Sequence, residues 1–134
     1  MLADSQELDY LILCPSNVYG RLNGKRHNQG FIELAVSNVL ERQPITVWGT
    51  GKQTRDYIHI SDLTDLVKRI IVKKINKEII NLAYGKSYDL LTILEIIEKQ
   101  VDMKPSIIYK DPDQKQINTI KFDTSFLKSK IQFD

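Results

Sequence analysis

Several residue types and patterns are scarce in this chain, and each shortage excludes a class of protein. Cys14 is the one cysteine among 134 residues, so no disulfide can form within the chain. Its thiol sits in an apolar run, where a buried, inert state is expected. No apolar run approaches the roughly 18 residues that a membrane span requires. The opening MLADSQELDY has no basic segment followed by an apolar one. A cytoplasmic protein without membrane contact is the expectation. Charge of one sign is scarce too: 19 Lys and Arg against 17 Asp and Glu leave a net charge of +2, too little to draw the chain to nucleic acid. The two histidines, His27 and His59, have no partner at metal-ligand spacing, so no metal site is expected.

What is present suits one globular domain: 42% of the residues are hydrophobic, enough for a core. The most informative stretch is residues 43–62, QPITVWGTGKQTRDYIHISD. Two runs with strand composition, 45–48 and 55–60, flank Gly49-Thr50-Gly51-Lys52 and read as a hairpin. Alternation along the second run puts Arg55, Tyr57 and His59 on one face, with Asp56, Ile58 and Ile60 on the other. Apolar residues at 63, 66, 67, 70 and 71 predict an amphipathic helix over 63–74, capped by Ser61 or Asp62. An arginine held between a hairpin and a helix start is a good anion clamp, because its fork can grip two phosphate oxygens. The plainer alternative pairs Arg55 with a surface carboxylate such as Asp56.

Elsewhere, residues 11–14 form a continuous apolar run closed by Pro15, as in a strand buried on both faces of a parallel sheet. The turn-rich PSNVYG that follows stands at that strand's carboxyl end, where open α/β sheets bind ligands, so Ser16, Asn17 and Tyr19 are candidates by position. Residues 21–30, with Arg26 and His27, read as a loop. Helical spacing predicts a helix over 30–42, ended by Pro44, and another over 90–101 with a broad apolar face. Residues 79–83 read as a second buried strand containing Asn81, 106–109 as a weak strand, and 124–128 as a short helix capped by Asp123. The fold class is α/β.

The order LILCPSNVYG, helix, PITVWGTGKQTRDYIHISDL, then IINLAYG and Lys110-Asp111-Pro112-Asp113 closely resembles the carboxyl-terminal half of the NAD-dependent epimerase/dehydratases, extended short-chain dehydrogenase/reductases that act on nucleotide sugars. The resemblance covers nearly the whole chain. It implies the last parallel strands of a Rossmann-like sheet plus a small substrate lobe in one domain, 1–134, without the dinucleotide-binding part. It further implies that Arg55 binds the substrate diphosphate, Asn17 hydrogen-bonds the sugar nucleotide, Trp48 stacks on the base, and Gly30 and Phe31 start the helix closing over that base. Asn81 would reach the phosphates, while Pro15 and Ser16 would lie against the nicotinamide of NAD. Each has a plainer alternative: a turn-forming Asn17, core filling by Trp48 and Phe31, a structural Asn81. Lys110 stands where the family has arginine, which turns a bidentate phosphate contact into a point charge.

Two family motifs are missing. No three of the six glycines have G-x-x-G-x-x-G spacing, and none of the six tyrosines has lysine four positions on, so no catalytic residue is expected in this chain. The expectation is therefore a truncated or split substrate lobe, inactive alone, that binds a nucleotide-diphosphate sugar. NAD would be held by a partner chain carrying the cofactor domain, or not at all. The other class is a non-catalytic interaction module or inert folded remnant. Strands at 11–14 and 79–83 that lack neighbours also suggest a homo-oligomer.

Overall fold

The computed structural model describes residues 9–20, 30–112 and 117–133. The apolar run at the start becomes β1 (Leu11–Pro15), followed at once by a short β2 (Asn17–Tyr19) within the segment that reads as a turn. Then come α1 (Phe31–Leu40), β3 (Ile45–Trp48), β4 (Thr54–His59), α2 (Ile60–Val72), β5 (Glu78–Leu82), β6 (Ser87–Asp89), α3 (Leu90–Val101), β7 (Ile107–Lys110) and α4 (Ser125–Lys130). Residues 21–29, which include Arg26 and His27, and Asp113 lie outside the described residues.

Among the described residues the strands form three small sheets. β1 runs parallel to β5, from Leu11 opposite Glu78 to Pro15 opposite Leu82. β4 lies between a parallel β2 and an antiparallel β6, and β3 pairs in parallel with β7. The hairpin expectation is therefore corrected: β3 and β4 do not pair. Gly49 and Gly51, at φ 69° and 73°, turn the chain, and the strands on either side serve different cores. Ile45 and Val47 of β3 enter a cluster with Ala35, Val39, Ile93, Leu94 and Ile97 from α1 and α3. Ile58 of β4 enters a second cluster with Leu66 and Ile70 of α2, Ile80 and Leu82 of β5, Leu127 and Ile131. Burial of alternate side chains in two places outweighs local pairing across a short turn.

The β1–β5 sheet departs from expectation as well. Ile80 and Leu82 are buried, yet Ile12 and Ile79, directly opposite each other in the register, are 37% and 53% exposed. Only one face of this sheet has a layer packed on it among the described residues.

The helix starts follow side-chain acceptors. Neither Ser61 nor Asp62 caps α2: the cap is His59, whose Nδ1 accepts from the Ser61 N–H at 3.3 Å. Asp62 instead accepts the Tyr84 hydroxyl at 2.6 Å. Asp89 caps α3 by accepting the Thr92 N–H at 2.7 Å. Before α4, Asp123 accepts the Ser125 N–H at 2.9 Å, while Thr124 is the first flanking residue. No helix among the described residues is long and apolar enough to cross a membrane.

Candidate functional site

Alternation in β4 sends the Asp56 side chain inward and leaves Arg55 and Tyr57 on the other face. Asp56 is wholly buried and accepts three backbone N–H groups, from Tyr84 at 3.2 Å, Gly85 at 2.7 Å and Lys86 at 3.1 Å. A carboxylate so engaged is not a partner for Arg55, and no ion pair of Arg55 forms among the described residues. Instead the guanidinium donates to the carbonyls of Thr54 at 2.8 Å and Ile117 at 2.7 Å. Two carbonyls fix its plane and leave the remaining N–H donors of the fork for a ligand.

That fork borders a cavity of about 200 Å³ between β2, β4 and the start of α1, with Asn17, Gly30, Phe31, Glu33, Gln53 and Tyr57 in its walls. The Asn17 amide donates to the Asp56 carbonyl at 2.9 Å, which ties β2 to β4 rather than closing a turn on its own backbone. Its side-chain oxygen is left as an acceptor. Gly30 precedes α1 with φ 88° and offers no side-chain cap, so the amides of the first turn add a positive end to this wall. Burial raises the Tyr57 phenol above its ordinary value, against the opposing pull of Arg55.

The structure thus brings Asn17, Tyr19, Gly30, Phe31 and Arg55 to one cavity and leaves Pro15, Ser16, Trp48 and Asn81 outside its walls. Trp48 is 48% exposed, not core, and lies outside the cavity walls with Lys110 Nζ 5.3 Å from its ring centroid. Asn81 donates to the Asp123 carbonyl at 3.0 Å. Pro15 is exposed at the end of β1. Ser16 donates its N–H to Leu82 at 3.0 Å, with its hydroxyl buried and without a partner. Sequence reasoning missed Gln53, which donates to the Trp48 carbonyl at 3.2 Å, and Glu33. A polar residue in a turn and an acid near a helix start both look solvated in one dimension. Tyr57 was legible as the aromatic on the face of Arg55.

NAD does not fit the residues present. The glycine turn that would cradle its pyrophosphate is missing from the sequence, and the buried Ser16 hydroxyl offers one contact rather than a phosphate cradle.

A model of the NAD dependent epimerase/dehydratase family matches residues 1–83. A dTDP-4-dehydro-6-deoxyglucose reductase from Escherichia coli is 32% identical over 111 residues, which is 81% of this chain and 34% of that protein. A UDP-N-acetyl-alpha-D-glucosaminuronate decarboxylase from Bacillus cytotoxicus is 29% identical over 96% of this chain and 42% of its own length. Among solved structures, the UDP-N-acetylglucosamine 4-epimerase of Methanobrevibacter ruminantium, in complex with UDP-N-acetylmuramic acid, superposes with a TM-score of 0.86 at 28% identity, over 99% of this chain and 43% of that one. The chain therefore spans between about a third and two fifths of the length of these relatives.

These findings correct the placement of the chain as a carboxyl-terminal substrate lobe. The family model matches its first 83 residues, the solved structures align with it in their Rossmann part, and the parallel pairs β1–β5 and β3–β7 belong to a Rossmann-like α/β portion of an extended short-chain dehydrogenase/reductase. The carboxyl-terminal placement rested on short motifs, which identify a family more securely than a position within it. The chain belongs to the NAD dependent epimerase/dehydratase family.

Proposed function

We propose that the cavity beside Arg55 binds a nucleotide-diphosphate sugar, with the guanidinium holding the diphosphate. The observation that carries this reading is the fork itself, pinned by the Thr54 and Ile117 carbonyls and opening on a cavity walled by Asn17, Gly30 and Phe31. A pre-oriented arginine loses little freedom when it grips two phosphate oxygens. The uncapped start of α1 adds to the attraction. Asn17 accepts from a sugar or ribose hydroxyl, and Phe31 covers the apolar face of the ligand. Trp48 and Asn81 have no part in this reading, because their side chains lie against Lys110 and Asp123. The chain binds without turnover, since no tyrosine in it has the lysine needed to make a proton-transfer pair.

Isothermal calorimetry with UDP-, dTDP- and GDP-sugars, on the wild type and on Arg55→Ala, tests the proposal. Truncating one member of a desolvated charge pair costs roughly 2 to 5 kcal/mol, so the variant should bind about thirtyfold more weakly or worse. Equal heats from both proteins, or none from the wild type, would overturn it.

A second reading, association with another chain, is favoured by Ile12 and Ile79 side by side on the uncovered face of the β1–β5 sheet. Self-association and docking of a chain that carries the cofactor domain are both forms of it. Cytoplasmic location belongs to the same proposal.

A further inference from the structure

Among the described wall residues of the Arg55 cavity, Glu33 is the one whose charge works against that of a diphosphate. It stands in the first turn of α1. One carboxylate oxygen, Oε1, accepts the Gly20 N–H at 3.0 Å, which fixes the side chain across the gap between β2 and α1. The other oxygen, Oε2, is buried without a hydrogen-bond partner. It rests against Gly30, where an added Cβ would lie 2.5 Å from it, so the glycine supplies both the φ of 88° and the space for this oxygen. Buried carboxylate oxygens are rarely left unpaired, because stripping water from one without replacement is costly. The Arg55 guanidinium, which lines the same cavity, donates to the Thr54 and Ile117 carbonyls instead. One cavity therefore holds a cation and an acceptor that do not neutralise each other.

Such a site matches a ligand that is anionic at one end and presents a hydrogen-bond donor at the other. Building on the nucleotide-sugar reading above, we propose that Glu33 Oε2 accepts a hydrogen bond from the nucleoside part of the ligand, either the imide N–H of a pyrimidine base or a ribose hydroxyl. Glu33 is then a specificity-determining residue. It repels a bare diphosphate and favours a diphosphate that carries a nucleoside. Only one oxygen is free, so it takes one donor.

The test uses the full chain and calorimetry with four probes: UDP, inorganic diphosphate, N3-methyl-UDP and 2′,3′-dideoxy-UDP. In Glu33→Gln the amide oxygen still serves the Gly20 N–H, but an N–H₂ group faces the cavity and opposes a ligand donor. UDP should bind this variant about tenfold more weakly, while inorganic diphosphate binds equally well or more tightly. A merely structural role would weaken both alike. On the wild type, one of the two analogues should lose about the same tenfold, and which one it is identifies the donor as imide or hydroxyl. This arm needs no variant and stands even if Glu33→Gln fails to fold. The inference is overturned if both analogues bind the wild type as UDP does, or if the variant treats UDP and diphosphate alike. Loss of UDP binding in Arg55→Ala with indifference to Glu33→Gln would sink this inference and leave the diphosphate reading standing. No binding of either UDP or diphosphate by the wild type would remove both.

Discussion

Asp56 organises the site without touching the cavity. Its carboxylate holds the turn at residues 84–86 through three N–H bonds, and its carbonyl holds Asn17. Replacing it with alanine strands those amides, for which a loss of about 3 kcal/mol is expected. Urea unfolding should show this as a lower midpoint at unchanged slope. A second residue-scale effect is alkaline. The hydrogen bond to Asp62, followed by burial and nearby carboxylates, pushes the Tyr84 phenol from 10.0 up to about 12. The folded form thus holds its proton more tightly than the unfolded form. That contribution to stability is complete below pH 10 and disappears as pH rises through about 12. Phenolate absorbance should show late-titrating phenols in the wild type and one fewer in Tyr84→Phe; an unchanged curve would contradict the assignment.

Single residues were unevenly legible in the sequence. Arg55 and Tyr57 on one face and Asp56 and Ile58 on the other follow from strand periodicity alone. Glu33 was not legible, since an acid in a first helical turn ordinarily stabilises the helix end from solvent. The site needed α1 to be folded against β2 before that carboxylate became an interior group.

Among the elements, α3 shows how far local signals carry. Its span over residues 90–101 agrees with the helical spacing, and Asp89 caps it. The Thr92 N–H and hydroxyl hold the Asp89 carboxyl below its ordinary 3.8. A lowered folded value means that this stabilisation is present above pH 3.8 and is lost as pH falls through the folded value. Asp89→Ala should therefore cost about 1 kcal/mol at neutral pH, with the gap to wild type closing in acid. Thermal melts across that pH range measure it, and a constant gap would count against the cap.

Strand pairing was less legible than strand position. Runs at 45–48 and near 54–59 are where composition puts them, but the choice of β7 and of β2 with β6 as neighbours is made by two separate cores. A hairpin signal spans a few residues. The competing partners lie tens of residues away and leave no mark on the local pattern. The α2 cap moved for a similar reason: Asp62, the obvious candidate, is drawn to Tyr84, and the His59 ring takes its place.

At the scale of the molecule, one layer of apolar contacts is absent among the described residues. Ile12 and Ile79 sit together, 37% and 53% exposed, on a sheet that has two strands among the described residues. Neighbouring exposed apolar side chains beside open strand edges favour association. Ile79→Lys should lower the apparent mass in light scattering at high concentration while leaving nucleotide binding intact. A monomeric wild type would contradict that reading.

A diphosphate seated between Arg55 and the start of α1 is the premise of every binding prediction above. Amide and guanidinium NMR spectra recorded during titration with UDP test this most directly. The expected result is saturable shifts at the Arg55 Nε–H and the amides of Gly20, Phe31 and Glu33, absent in Arg55→Ala. Shifts confined to the separate cleft at Arg42 and Lys104, or no shifts at all, would contradict it.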